Sequence, residues 1–369
     1  MHVAIVGCGQ LARMMALAGW PMGHRFTFLA DQGEGIDCVK GLGEIVYYTP
    51  EIELEGLALF QALGNPDVVT VEREHVNVPL LNTLKPYCSV YPDPDAIKYC
   101  QHRGREKTFL NSLGIQTAPF HLANNADELN TGVKALGFPV FVKTCEEGYD
   151  GYGQWVLKND EDLNDLITKA DNLPEVVIEG RVDFDREVSL IAARDASGEC
   201  VFYPLTENLH RNGILWSSLA PADAPAELHA KAKDIADKVL NALEYVGVIA
   251  IEMFQAGDEL LVNELAPRVH NSGHWTQGAG ICSQFENHLR AICGLGLGHT
   301  INSQHAGMVN LLGIEAPKEI ISESNVQHHV YNKSLRPGRK VGHLNLVSDD
   351  RHTLEVKLKR IRETLYKDE

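Results

Sequence analysis

Apolar and polar positions fall along this chain in blocks whose period changes from two to about 3.6 and back. HVAIVG, from residue 2, is a continuous apolar run of buried-strand length. The turn Gly7-Cys8-Gly9-Gln10 leads from it into LARMMALAGW, whose apolar residues recur with helical spacing. RFTFLAD, VVTVERE and SVYP read as further strands, and alternation of strands with helices predicts a parallel sheet over residues 1–97. A proline-rich link, PDPD, then leads into a single predicted helix that Gly114 and the following TAP close. FPVFVKT, QWVLK and EVVIEGRV are strands of a smaller unit over 98–180, with EDLNDLITKADNL as its helix. DREVSLIAARD and ECVFYPLTENLHRNGIL continue as antiparallel strands; PAELHAKAKDIADKVLNALEYVG and SQFENHLRAICGL read as helices.

The most informative block is 248–278. VIAIEMF and LLVNEL flank Ala256-Gly257-Asp258, which predicts a β-hairpin. With its turn near Asp258, Glu252 and Glu264 fall opposite one another, where Cβ atoms are about 5 Å apart and like charges are unfavourable. Two acids on a solvent-facing edge hairpin are one explanation. A divalent cation between them is the other, since Mg²⁺ takes one or two carboxylates plus phosphate oxygens. The next residues favour the cation: Pro267 to His274 pack a guanidinium, imidazoles, an amide and a hydroxyl into a cluster suited to a small anion.

Composition narrows the classes. At 369 residues, two or three domains are expected, and a net charge of −17 excludes a general nucleic-acid binder while leaving room for a local basic pocket. The eight cysteines show no CxxC spacing and read as reduced, in a cytosolic compartment. No apolar run approaches the roughly 20 residues of a membrane span, and MHVAIVGCGQ reads as a first strand instead of a signal peptide.

Other stretches carry chemistry too. Lys143 interrupts the apolar VFVK, either as an edge snorkeller or as a phosphate contact. The glycine-rich loop 146–154 joins two strands, so it is no Walker A site, but its backbone N–H groups suit covering a phosphate. Glu179 ends an apolar strand; the residues alone favour a surface strand end over nucleotide recognition. Glu72 and Glu74 also follow a strand, where a charged terminus and a ligand contact are equally consistent. Lys333, Arg336, Arg339 and Lys340 surround a Pro-Gly turn and read as a phosphate clamp. Gly7-x-Gly9 with Asp31 gives two thirds of a dinucleotide fingerprint, Ala12 standing at its third glycine.

GCGQLARMM, GYDGYGQ, REVSL, FYPLTENLH, NELAPRVHNSGHWTQ and RPGRKVGHLN, in that order, resemble the ATP-grasp superfamily. Within it, they resemble the 5-(carboxyamino)imidazole ribonucleotide synthases of purine biosynthesis, over nearly the whole chain. The resemblance implies an α/β chain: a Rossmann-like N-terminal domain over 1–97, then a two-domain ATP-grasp fold of α+β type. That fold comprises a small central domain over 98–180 and a C-terminal domain over 181–369, with ATP between them. It implies ATP- and bicarbonate-dependent carboxylation of 5-aminoimidazole ribonucleotide through carboxyphosphate, with two Mg²⁺ ions (or Mn²⁺), in a cytoplasmic homodimer that engages neither nucleic acid nor membrane.

By motif, Arg103 and Lys143 would contact ATP phosphates. Gly148, Tyr149, Asp150, Gly151, Tyr152, Gly153 and Gln154 would cover them as a lid. Glu179, Gly180, Arg181, Val182 and Glu187 would hold adenine and ribose, with His210, Asn263 and Glu264 near the nucleotide. Glu252 and Glu264 would ligate the metal, and Arg268, His270, Asn271 and Ser272 would receive bicarbonate or the incoming amine. Glu74 would close that pocket; Tyr149 and His210 would touch the ribonucleotide, with Asp150 as base for its amine. Lys333, Arg339 and Lys340 would clamp its phosphate. Two departures stand out: Tyr152 where relatives usually carry arginine, and Ala266 where the wider superfamily has a third, asparagine, metal ligand. The rival readings are the formate-dependent glycinamide ribonucleotide transformylase of the same superfamily and, from another class, an NAD(P)-dependent oxidoreductase.

Overall fold

The computed structural model describes residues 1–48, 56–146, 153–169, 174–301 and 303–366. The first sheet contains β1 (His2–Val6), β2 (Arg25–Asp31), β3 (Glu44–Tyr48), β4 (Val68–Val71) and β5 (Ser89–Val90), all parallel, in the order β3-β2-β1-β4-β5. Helix α1 (Gln10–Gly19) lies on one face, α2 (Gly56–Ala62) and α3 (Val78–Leu84) on the other. Val3 and Ile5 pack with Met15 and Phe28, whereas Ala4 and Val6 pack with Leu59 and Leu81. Burial on both faces is why HVAIV is continuously apolar.

The single helix expected after PDPD is two: α4 (Pro94–Cys100) and α5 (Arg103–Ser112). His102 breaks it. Its backbone is extended, and its ring Nδ1 accepts from the Arg105 N–H, capping α5. Gly114 closes α5 with φ +70°.

The second sheet is antiparallel, β6 (Phe120–Ala123), β7 (Val140–Thr144), β8 (Gln154–Leu157) and β9 (Val176–Gly180), ordered β6-β9-β7-β8. Helices α6 (Ala126–Leu136) and α7 (Asp160–Lys169) accompany it, and Leu129, Val133 and Leu163 pack with Val140, Val142 and Ile178.

The third sheet comprises β10 (Arg186–Arg194), β11 (Cys200–Phe202), β12 (Thr206–Arg211), β13 (Ile214–Ala220), β14 (Gly247–Ala256), β15 (Glu259–Ala266), β16 (His305–Leu312), β17 (Val326–Val330) and β18 (Lys340–Ser348). They run β15-β14-β10-β12-β13-β16-β18-β17, with β11 beside β10. Helix α8 (Ala226–Ala242) packs Leu228, Ala232, Ile235 and Val239 onto one face of β10 and β14. Helix α9 (Gln284–Ile292) packs against the other face and against α1, α10 (Lys318–Ile321) packs beside β17, and α11 (Arg351–Leu365) covers β16 and β18. Helix α5 lies along the outer edge of β15 and also meets β9, which brings the second and third sheets to a shared cleft.

Among the described residues no helix is long and apolar enough to cross a membrane. All eight cysteines are free.

Candidate active site

The hairpin β14–β15 pairs Glu252 with Glu264, although the register set by its Gly257-Asp258 turn would by itself pair Glu252 with Asn263. A β-bulge follows: Glu252 faces Glu264 but Met253 faces Val262, so Asn263 is the extra residue with no cross-strand partner. Among the described residues neither acid is paired with a lysine or arginine. Burial and the adjacent Glu264 push the Glu252 carboxyl upward. Ionising both acids together is therefore costly without a cation.

Both carboxylates line a cavity of about 800 Å³ between the second and third sheets. That is near the upper end for small-molecule sites, roughly 300–1,000 Å³. Of the residues expected from sequence, Glu74, Arg103, Lys143, Gln154, Glu179, Gly180, Val182, Glu187, His210, Glu252, Asn263, Glu264, Arg268, His270, Asn271 and Lys340 line it. Gly148, Tyr149, Asp150, Gly151 and Tyr152 lie outside the described residues. Gly153 sits in the turn before β8, its φ of +69° and the nearby Thr144 side chain both requiring glycine. Arg181 is not among the lining residues; its exposed guanidinium pairs with Asp183. Lys333 and Arg339 also lie off the lining, Lys333 donating to the Gln10 side chain and Arg339 to Ser334 Oγ at 2.7 Å.

At the second-sheet end, Glu179 is buried with one oxygen 2.7 Å from Lys143 Nζ and the other 2.9 Å from Lys107 Nζ. Burial opposes its ionisation, but the two lysines prevail and hold it at about 2. At the far end, Arg268 forms a two-point pair with Glu74, across from the first sheet. Burial again opposes the charge; Arg268 outweighs it and holds Glu74 at about 2. His210 Nδ1 pairs with Glu187, and that bond with the nearby Glu252 raises its affinity for a proton despite burial.

His270 is kept neutral, by burial first and then by Arg268 and Lys340. Its Nδ1 accepts from the Ser272 N–H at 3.3 Å and contacts Ser272 Oγ at 3.0 Å, so Ser272 is fully buried behind the site and orients the ring. The Asn271 amide is buried, lines the cavity and finds no hydrogen-bond partner among the described residues.

Several site residues were not anticipated. Phe141 lies two residues before Lys143 and Phe254 two after Glu252, so strand periodicity places them on the same faces. Gln284 brackets His270, accepting from its N–H at 2.9 Å and donating to its carbonyl at 2.6 Å. Glu106 and Lys107, one helical turn beyond Arg103, are buried; burial and then Glu264 push Glu106 up to about 8. His102, Cys145 and Glu175 bring possible ligand atoms within 4.8 Å of one another, but His102 already caps α5 through Nδ1 and meets Glu175 through Nε2 at 3.1 Å.

The glycine turn does not open onto a dinucleotide. Glu72 fills it, accepting from the Gly9 N–H and, at 3.0 Å, from the Ala12 N–H. Asp31, which would meet the ribose, pairs with Arg73.

A cleft between two sheets, with paired acids at one wall and lysines and an arginine at the other, defines the ATP-grasp class, and the comparisons agree. The model of the ribonucleotide synthetase preATP-grasp domain matches residues 1–101, and that of the ATP-grasp domain 108–285. The phosphoribosylaminoimidazole carboxylase C-terminal domain matches 306–357. The N5-carboxyaminoimidazole ribonucleotide synthase of Pseudomonas aeruginosa is 39% identical, covering 98% of either chain. The crystal structure of the N5-carboxyaminoimidazole ribonucleotide synthetase of Thermus thermophilus superposes with TM-score 0.91 at 42% identity, over 99% of this chain and 98% of that one. The Aspergillus clavatus N5-carboxyaminoimidazole synthase, solved with ADP and 5-aminoimidazole ribonucleotide, superposes with TM-score 0.87 at 26% identity, over 99% and 98% of the two chains. The chain belongs to the N5-carboxyaminoimidazole ribonucleotide synthase family, ATP-dependent ligases of purine biosynthesis.

Proposed function

We propose that the cavity carries out carboxylation of 5-aminoimidazole ribonucleotide with ATP and bicarbonate, and that its residues divide the work by position. The observation that carries the reading is one cavity holding both the Glu252–Glu264 pair and the Arg268-Val269-His270-Asn271 run.

Adenine and ribose sit against Phe141, Phe254 and the Glu179–Val182 strand end, with Glu187 and His210 at the ribose. Arg103, Lys143 and the 148–154 segment take the phosphates. Glu252 and Glu264 fit Mg²⁺: they are two oxygen donors whose mutual repulsion a divalent cation relieves, as the raised Glu252 requires. Bound there, the ion would neutralise phosphate charge. Phosphoryl transfer to bicarbonate then depends on positioning and charge neutralisation, which lysine, arginine and backbone amides supply. Arg268 and the unpartnered Asn271 amide receive bicarbonate, while neutral His270 can donate through Nε2 because Ser272 occupies Nδ1. Glu74 holds Arg268 in place from the first sheet. Lys340, with Lys333 and Arg339 behind it, attracts the ribonucleotide phosphate, and Asp150 accepts the amine proton.

The domain limits 1–97, 98–180 and 181–369, a cytoplasmic location and a homodimer complete the reading. ADP release with Mg-ATP and bicarbonate, with and without 5-aminoimidazole ribonucleotide, tests it. Stimulation that requires bicarbonate is expected. Stimulation by formate with glycinamide ribonucleotide would replace it with the transformylase reading.

A further inference from the structure

Helix α5 grips the hairpin on both sides of Glu264. Glu106 Oε1 accepts from the Leu265 N–H at 2.6 Å, and Lys107 Nζ donates to the Asn263 carbonyl at 3.3 Å. Asn263 is the bulged residue, with no residue of β14 opposite it, and the lysine donates to its carbonyl. The same ammonium lies 2.9 Å from Glu179, on the second sheet. Lys143 shares Glu179, but the two lysines are not alike: the Lys143 side chain is 18% exposed and faces the cavity, the Lys107 side chain 1%.

We propose that Lys107 is a positioning residue that fixes the bulged Asn263-Glu264 backbone relative to Glu179, setting the metal-binding acid at a defined distance from the adenine end of the cleft. This rests on the ATP-cleft reading above. When Lys143 turns from Glu179 to the phosphates, Lys107 stays and keeps Glu179 an ionised acceptor. One buried cation thereby joins the second and third sheets across the bound nucleotide. Sequence spacing carries the pattern: Arg103, Glu106 and Lys107 stand at i, i+3 and i+4, one stripe of α5 facing the cleft.

The test is an Mn²⁺ titration of the intact chain with saturating ADP, reading free Mn²⁺ by its paramagnetic resonance, so that no turnover is needed. Lys107→Met should raise the half-saturating Mn²⁺ concentration about tenfold, the usual loss for a hydrogen bond from a charged group. Because this variant strands the Glu179 charge, Glu179→Gln and the double variant Lys107→Met/Glu179→Gln are compared as well. A positioning lysine predicts that adding Lys107→Met to Glu179→Gln still weakens Mn²⁺ binding. Equal Mn²⁺ binding by these two would reduce Lys107 to a counter-ion for Glu179 and overturn the proposal. Unchanged binding in Lys107→Met alone would overturn it too. Wild-type chain that binds Mn-ADP but releases no ADP from ATP with bicarbonate and the ribonucleotide would instead refute the proposed function.

Discussion

Glu72, just after a strand of the first sheet, and the Glu252–Glu264 pair, on the third sheet, are carboxylates that meet different surroundings. Glu72 stands where the first turn of α1 leaves backbone N–H groups needing an acceptor, and it supplies that acceptor through both oxygens. A side chain on Gly7 or Gly9 would strike it, so those glycines serve the carboxylate and not a passing pyrophosphate. Glu252 and Glu264 face one another, and among the described residues neither accepts from a backbone N–H, His270 Nδ1 lying 3.5 Å from the Glu252 carboxylate. Glu72 has its oxygens satisfied by backbone donors and serves the fold, whereas the two acids that lack such donors among the described residues line the cavity.

The sharpest way to break that contrast is substitution at each centre. Glu264→Gln removes one of the two carboxylate charges proposed to hold the metal, at nearly constant volume. ADP release should fall by about 10³-fold, the scale for losing a group that stabilises transferring charge; undiminished turnover would remove the metal assignment. Glu72→Ala should act on folding instead. Two helix N–H groups lose their acceptor inside a packed turn, a loss of about 2–4 kcal/mol in denaturant unfolding. Turnover per folded molecule should stay within about twofold, as expected of a site outside the chemistry. A large catalytic loss with normal stability would mean the glycine turn meets substrate after all.

Acid sharpens the comparison at a third carboxylate, Glu74, whose charge the chain matches with Arg268. Its folded value of about 2 lies below the ordinary 4.5, so its contribution is complete above about pH 4.5 and is lost as pH falls through 2. The difference amounts to at most about 3 kcal/mol. Stability measured between pH 5 and 2 should therefore fall less steeply in Glu74→Gln than in wild type. Parallel profiles would show that the Arg268 pair is not what holds the acid form off.

The sequence made this contrast half visible. The Gly257-Asp258 turn alone would set Glu252 against Asn263, yet the hairpin itself was legible from its two-residue period and turn residues. The bulge at Asn263 was not, since an extra residue leaves the alternation of VNEL looking regular. Glu72 and Glu74 were undecidable for a physical reason: both follow one strand, and only tertiary contacts assign one to a helix N-terminus and the other to Arg268. Lys107 reads as an ordinary helix-surface lysine until β9 and β15 close over it. His102 hid the break between α4 and α5, because its cap depends on a ring orientation. The Pro267–His274 stretch showed its polar cluster plainly, while Gln284, which holds His270 from both sides, comes from the next helix.

The smallest effect separates two adjacent cations. Arg339 is engaged by Ser334, off the cavity lining, whereas Lys340 lines the cavity near Glu252 and His270. Both were expected to clamp the ribonucleotide phosphate. If position relative to the cavity decides, Lys340→Ala should raise the apparent KM for 5-aminoimidazole ribonucleotide by about tenfold or more, the scale of a charge-assisted hydrogen bond. Arg339→Ala should raise it only about two- to threefold, as expected of a half-buried charge off the cavity lining that solvent still screens. The KM for ATP should stay unchanged in the Arg339 variant. Steady-state titration of each substrate decides it. A larger effect from Arg339 would mean that the Ser334 contact is given up when the ribonucleotide binds, and that a cation engaged by the chain in this structure still serves the ligand. A rise in the ATP KM would place the turn at the nucleotide instead.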